Sequence, residues 1–334
     1  MARYAKISAL SFKAVQNDGL EVNAERYKEK VMQHLLQQIE AVAGEMPDLV
    51  ILPEASNRPA GLSLAERMEY YEHTQQDFEN FIASLAVKYN TNIAFACIRI
   101  DNNPPDREYP CRNSVLYFNR KGKIVGTYDK CYLVPTEHTV AKIGFGKLPD
   151  KLIDLDFGRV ATAICFDMHD MTLLERYAAL SPDLIVFPSN FAARAWADTW
   201  ALRCSAYFAA SLGIGLHKMG RIINPFGDIV ATTAESAVDR YHATATLNFD
   251  CTIVHNDDNQ DWRTYKFDAA KKKYGDGFNW VNSNGGGVSL IQCDIPDKTI
   301  DDIIDEFDIV RLENYFPLTY KLRKEYYEKI GYEV

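Results

Sequence analysis

Twice along the chain a proline–aspartate pair opens an aliphatic run that closes on a second proline. Pro47 to Glu54 reads PDLVILPE, and Pro182 to Ser189 reads PDLIVFPS. A run without polar alternation fits a strand buried on both faces, which requires a sheet covered by other layers. A second pair of segments also matches, ISALSF from Ile7 and ATAICF from Ala161. In each half the order is strand, helix, strand. Right-handed βαβ crossovers make each strand pair parallel and place Glu54, Ser189 and Cys165 at carboxyl ends, the side on which open α/β sheets bind ligands. Two matched elements in the same order predict a pseudo-repeated α/β fold.

The intervening stretches fill that frame. Residues 24–44 predict a helix with Val31, Leu35, Leu36, Ile39 and Val42 on one face, and residues 75–89 a second with Phe78, Phe81, Ile82 and Leu85. Residues 93–100 form a strand, and residues 114–118 and 124–128 a hairpin closed by NRKGK. The hairpin runs into Asp129-Lys130, and residues 131–150 read as a loop lining something. Residues 171–180 predict a helix, residues 196–211 a longer one, and residues 214–217, 221–224, 229–232 and 243–249 short strands. Past Asp250 the chain turns polar. Two regions are expected: residues 1–250 as the main domain, and residues 251–334 as an extension without a core of its own, packing on the same domain or across a partner subunit.

Composition narrows the partners. With 334 residues, 47% hydrophobic and 25% charged, the chain has the makings of a sizeable core. A net charge of −9 and no long basic patch exclude nucleic acid on electrostatic grounds. No stretch approaches the ~18 apolar residues of a membrane span, and MARYAKISALSF lacks the apolar segment of a signal peptide, so a cytoplasmic protein without membrane contact is expected. The seven cysteines are scattered, without the paired spacings of zinc or disulfide frameworks, and read as reduced thiols. The seven histidines lie far apart, so no metal site and no cofactor is expected.

Cys165, in RVATAICFDMHD, stands where the apolar run ends and a polar turn with Asp167, His169 and Asp170 begins. Taken alone it reads as core filling or as a nucleophile, as Glu54 reads as a surface carboxylate or a base and Lys130 as a solvated or a site lysine. Together these segments resemble the nitrilase, or carbon–nitrogen hydrolase, superfamily: LVILPE ending in Glu54, YDKCYLVPTE carrying Lys130 and Glu137, and GRVATAICFD carrying Cys165. NSVLYFNRKGKIVGTYDK and RIINPFGDIVA are similar to family segments as well, so the likeness covers residues 4–250. It implies a four-layer αββα sandwich with internal pseudo-symmetry and a Glu54–Lys130–Cys165 triad, with Glu137 orienting Lys130 or a bound amide.

The resemblance further implies a thioester mechanism in which the Phe166 N–H and Lys130 hold the oxyanion. Tyr132 stands where many relatives have histidine, and Phe166-Asp167 replaces the Trp-Glu of true nitrilases. An amide or N-carbamoyl substrate is therefore favoured over a nitrile, an acyl transfer or a non-catalytic binding role. Tyr132, Phe166, His169, Asn190 and Arg194 are the expected substrate contacts, with Arg194 available to a substrate carboxylate. A homodimer or higher homo-oligomer is expected.

Overall fold

The computed structural model describes residues 3–16, 24–58, 60–213, 220–233, 242–282 and 287–333. It separates into two compact units, Ala5–Leu247 and Asn248–Val334 with Met1–Tyr4.

In the larger unit the strands run in chain order as β1 (Tyr4–Leu10), β2 (Leu49–Ile51), β3 (Asn92–Ile100), β4 (Cys111–Phe118), β5 (Ile124–Asp129), β6 (Ile153–Leu155), β7 (Gly158–Thr162), β8 (Leu184–Ser189), β9 (Tyr207–Leu212), β10 (Arg221–Ile223), β11 (Ile229–Thr232) and β12 (His242–Asn248). The helices are α1 (Ala24–Ala43), α2 (Leu64–Lys88), α3 (Pro135–Thr139), α4 (Met171–Leu180) and α5 (Ala195–Cys204). Two six-stranded sheets result, ordered β12-β1-β2-β3-β4-β5 and β6-β7-β8-β9-β10-β11. In the first, β1, β2 and β3 are parallel, Ile7 pairing with Leu49 and Leu49 with Asn92. In the second, β7, β8 and β9 repeat the arrangement, Val160 pairing with Leu184 and Leu184 with Tyr207. Antiparallel β4-β5 and β10-β11 complete the match.

Each sheet is covered on one side by its helices. Val31, Leu35 and Ile39 of α1 and Phe78 and Ile82 of α2 pack with Phe95 and Leu116 of the first sheet. Leu173 and Leu174 of α4 and Trp200 of α5 pack with Phe187 and Phe208 of the second. Each such side chain is at most 1% exposed apart from Leu116, so each contributes about 1.5–3 kcal/mol of burial. The other faces meet: the Tyr117 and Thr162 hydroxyls lie 2.6 Å apart and Ser211 Oγ donates to the Ile51 carbonyl at 3.1 Å. The layers are helix, sheet, sheet, helix.

Two expectations change. The helix predicted over residues 196–211 stops at Cys204, because Ser205 adopts φ +50° and caps it, and the apolar run after it becomes β9, buried throughout. Periodicity does not separate a buried strand from a helix in such a run. Helix α2 begins eleven residues before the expected start, where a capping box closes it: Ser63 N–H donates to Glu66 Oε2 at 2.6 Å and Ser63 Oγ accepts from the Glu66 N–H at 3.3 Å. The strand expected at 214–217 lies outside the described residues.

The smaller unit carries a core of its own, contrary to expectation. Strands β13 (Cys251–His255), β14 (Phe278–Asn282) and β15 (Val288–Cys293) form an antiparallel sheet ordered β13-β15-β14. Helices α6 (Lys266–Tyr274), α7 (Ile300–Phe307) and α8 (Leu312–Ile330) accompany it. Val254, Phe267, Phe278, Ile291 and Ile303 are all buried together. Alternating strands and the narrow apolar stripe of IDDIIDEF hide this core in a polar average. No described helix of the chain is long and apolar enough to cross a membrane.

Candidate active site

The parallel strands β2, β7 and β8 end on the same side of the two sheets, and each delivers a functional group just past its last residue. Glu54 follows β2 and is 7% exposed; Asn190 follows β8; Cys165 follows β7. Cys165 opens a 3₁₀ turn, Cys165–His169, with its own φ at +50°. A left-handed backbone costs a side-chain-bearing residue roughly 1–2 kcal/mol, and such conformations concentrate at functional sites. Lys130 comes from the end of β5. Its carbonyl accepts from the Gly146 N–H at 2.8 Å, an approach only glycine permits, since a Cβ there would lie 2.0 Å from the Asp129 carbonyl oxygen.

Lys130 is the centre of a buried polar group. At 1% exposure its ammonium donates to Glu54 Oε1 at 3.1 Å and to Glu137 Oε1 and Oε2 at 3.0 and 2.8 Å. Glu137 lies in α3 and also accepts from the Val134 N–H at 2.8 Å, which fixes its rotamer. Burial pushes the Lys130 ammonium down, and the Glu54 and Glu137 carboxylates outweigh it, so Lys130 is held above the ordinary lysine value. Two carboxylates around one ammonium leave one net negative charge.

That charge acts on the thiol. Burial pushes Cys165 up to about 11, Glu54 adds to the rise, and Lys130, the Asn190 N–H and the Ser189 hydroxyl act against it. The thiol therefore keeps its proton at neutral pH within the electrostatic reach of Glu54. This pairing is the arrangement in which a proton moves as the sulfur attacks.

Three groups outside the expected set complete the geometry. Asn113, in β4, donates through Nδ2 to Glu54 Oε1 at 2.9 Å and to Glu137 Oε1 at 3.1 Å, bridging both carboxylates. Among the described residues its buried Oδ1 has no hydrogen-bond partner. Its signal was the first letter of NSVLYF, a segment already singled out. Gly213 lets Asn190 approach, because a Cβ there would lie 2.4 Å from Asn190 Oδ1. Asp167, wholly buried, accepts from the Tyr128 hydroxyl at 2.8 Å and from the N–H groups of Cys131, Tyr132 and Ile164 at 3.1, 2.7 and 2.8 Å. It ties the Lys130 strand end to the Cys165 turn.

The expected substrate contacts divide. Asn190 Nδ2 donates to Glu54 Oε2 at 2.8 Å, which makes it a partner of the carboxylate. Phe166 and His169 are exposed and continue into Phe191 and Trp196, the His169 ring lying 4.9, 5.6 and 5.4 Å from the other three. Tyr132 faces Asp170, which caps α4 by accepting from the Leu173 N–H at 2.7 Å. Arg194 sits at the start of α5 with φ +42°, its carbonyl accepting from Arg221. Among the described residues, no hydrogen bond or ion pair joins Tyr132, His169 or Arg194 to the Glu54–Lys130–Glu137 group. No three His, Cys, Asp or Glu side chains among the described residues could hold a metal ion.

An αββα sandwich with a buried carboxylate–lysine–carboxylate group and a strained cysteine at its strand ends defines a class of protein. The chain belongs to the carbon–nitrogen hydrolase family, whose model matches residues 15–237. It is 31% identical over 141 residues to the "Hydrolase in agr operon" of Staphylococcus lugdunensis, covering 42% of this chain and 57% of that one. It is 25% identical over 230 residues to the chloroplastic omega-amidase of Arabidopsis thaliana, covering 62% and 61%. The crystal structure of the C. elegans NitFhit protein superposes with a TM-score of 0.61 at 21% identity, covering 75% of this chain and 62% of that one. The chain thus spans less than two thirds of the length of each of these relatives.

Proposed function

We propose that the protein hydrolyses a non-peptide C–N bond of a small amide or N-carbamoyl compound through a thioester on Cys165. The observation that carries this reading is the buried Lys130 ammonium bonded to Glu54 and Glu137, with Asn113 and Asn190 also holding Glu54, at the strand ends where Cys165 opens its turn. Glu54 takes the thiol proton as the sulfur attacks the carbonyl carbon. The carbonyl oxygen then carries negative charge, which the Lys130 ammonium and the Phe166 N–H stabilise; one such donor is worth about 3 kcal/mol elsewhere. Glu54 returns the proton to the leaving nitrogen as the C–N bond breaks, releasing ammonia or an amine. Water, deprotonated by Glu54, cleaves the thioester and regenerates the thiol. Glu137 keeps Lys130 charged and in place. The naming of one relative as an omega-amidase supports the amide over the nitrile.

The test is ammonia release from aliphatic amides, N-carbamoyl amines, N-carbamoyl amino acids and nitriles, with Cys165→Ala beside the wild type. Turnover of an amide or carbamoyl compound by the wild type and none by the variant is expected. Equal turnover by Cys165→Ala refutes the mechanism, and hydrolysis of nitriles alone refutes the substrate class.

A further inference from the structure

Glu54 accepts hydrogen bonds unevenly on its two oxygens. Oε1 takes two donors, the Lys130 ammonium at 3.1 Å and Asn113 Nδ2 at 2.9 Å, whereas Oε2 takes one, Asn190 Nδ2 at 2.8 Å. We propose that Asn113 is a positioning residue for the reaction: with Lys130 it closes Glu54 Oε1, so that the proton passes between the Cys165 thiol and Oε2. The inference rests on the hydrolase reading above and assigns within it the oxygen that moves the proton and the residue that selects it.

An ionised carboxylate has four acceptor sites, two on each oxygen. Among the described residues, those of Glu54 are filled except for one on Oε2. Glu137 has none open, since its Oε1 takes Lys130 and Asn113 at 3.0 and 3.1 Å and its Oε2 takes Lys130 and the Val134 N–H, both at 2.8 Å. Asn190 links the open oxygen to the nucleophile: its side chain holds Glu54 Oε2, and its backbone N–H acts on the Cys165 sulfur. The closed oxygen faces Lys130 instead.

Asn113 is placed to hold this pattern. It stands in β4, between β3 and β5, at 2% exposure, and its carbonyl accepts from the Lys130 N–H at 2.8 Å. One residue thus fixes Lys130 through its backbone and both carboxylates through its amide. The amide fits in one sense only, because turned over it would set Oδ1 against Glu54 Oε1 and Glu137 Oε1. In the sense that fits, Oδ1 is buried and, among the described residues, lacks a donor. Such an acceptor carries a desolvation cost. Packing alone would favour an apolar side chain of the same outline, and two carboxylates that need donors favour the amide.

The experiment is a double-substitution cycle of Asn113→Leu and Glu54→Gln in the full chain, read by alkylation of Cys165 with iodoacetamide at neutral pH and quantified at that residue by peptide mass spectrometry. The sulfur displaces iodide from the reagent while its proton passes to Glu54, so the rate reports on the base without requiring turnover. Asn113→Leu should slow alkylation about 10- to 100-fold, the order expected of a base displaced by about 1 Å, and lower kcat by a similar factor, with KM changed less, on the amide turned over fastest in the ammonia-release test. Made in Glu54→Gln, the same substitution should change the alkylation rate by less than about twofold, because a residue that acts through the base then has nothing to position. Circular dichroism and the urea midpoint establish that each variant is folded, and Asn113→Ala, which admits water where leucine does not, replaces a leucine variant that fails to fold. Equal slowing in both backgrounds overturns the assignment, as does a rate within about twofold of wild type when Asn113 alone is replaced. A wild type that releases ammonia from no compound tested overturns the hydrolase reading, while the alkylation cycle still decides whether Asn113 acts through Glu54.

Discussion

Replacing Asp167 with asparagine keeps the outline of the side chain and removes half of its acceptors. The carboxylate takes two donors on each oxygen: the Cys131 and Tyr132 N–H groups on Oδ1, the Tyr128 hydroxyl and the Ile164 N–H on Oδ2. In the variant the amide oxygen keeps the first pair, and the Tyr128 hydroxyl can rotate to accept from the new NH₂. The Ile164 N–H cannot rotate and faces another donor. An orphaned buried N–H costs about 1–3 kcal/mol, and demoting the remaining charge-assisted bonds to neutral ones adds about 1 kcal/mol more. A net loss of about 2–4 kcal/mol at pH 8 follows.

The effect carries a pH signature. Burial pushes the Asp167 carboxyl up to about 7, against the pull of its four donors. The unfolded chain loses this proton near pH 4 and the folded chain only near 7. The group's contribution is thus complete below pH 4 and declines as pH rises through 7, by about 4 kcal/mol in all. The variant lacks this limb. Urea unfolding of both proteins at pH 5 and pH 8 should show a larger deficit for Asp167→Asn at the lower pH. Because Asp167 joins the segments that carry Lys130 and Cys165, kcat on the preferred amide should also fall about 100-fold, the order expected of a misplacement near 1 Å, with KM changing less. A stability loss under about 0.5 kcal/mol, with kcat within twofold of wild type, refutes the argument that Asp167 couples the two segments.

Two further outcomes follow from the same reasoning. The Cys165 thiol is pushed up to about 11 from an ordinary 9.0, so its contribution to stability is complete below pH 9 and lost as pH climbs through 11, about 3 kcal/mol in all. Denaturant midpoints at pH 7.5 and 10.5 should fall further for the wild type than for Cys165→Ala; parallel falls count against the assigned environment. In the smaller unit Phe267 is 0% exposed, with its ring 5.4 Å from that of Trp280, and Phe267→Ala should cost about 3–5 kcal/mol of that unit's stability, read as lost hydrogen-exchange protection in β13 and β15. Protection unchanged in those strands would mean that residues 251–334 have no cooperative core.

What could be read from residues alone follows from where each group sits relative to a local frame. Glu54, Lys130 and Cys165 stand just past apolar runs, so the pattern break that marks a strand end also marks the residue, and PDLVILPE and PDLIVFPS betray the repeat because both strands need the same two-sided burial. Asn113 lies inside a strand buried along its whole length, between Arg112 and Ser114, where no one polar letter stands out until its two carboxylate partners are brought from the end of β2 and from α3. Asp167 shows only as an acid in a turn, since its four donors come from residues 3 to 39 positions away. The repeat explains this distribution. Glu54 follows β2 and Asn190 follows β8, matching strands of the two halves, and Asn190 donates to Glu54 across them at 2.8 Å. On the proposed mechanism the base belongs to one half and the nucleophile to the other. The first half brings Glu54 and Lys130 to its strand ends and the second brings Cys165, so the proposed proton transfer requires the two sheets to face each other.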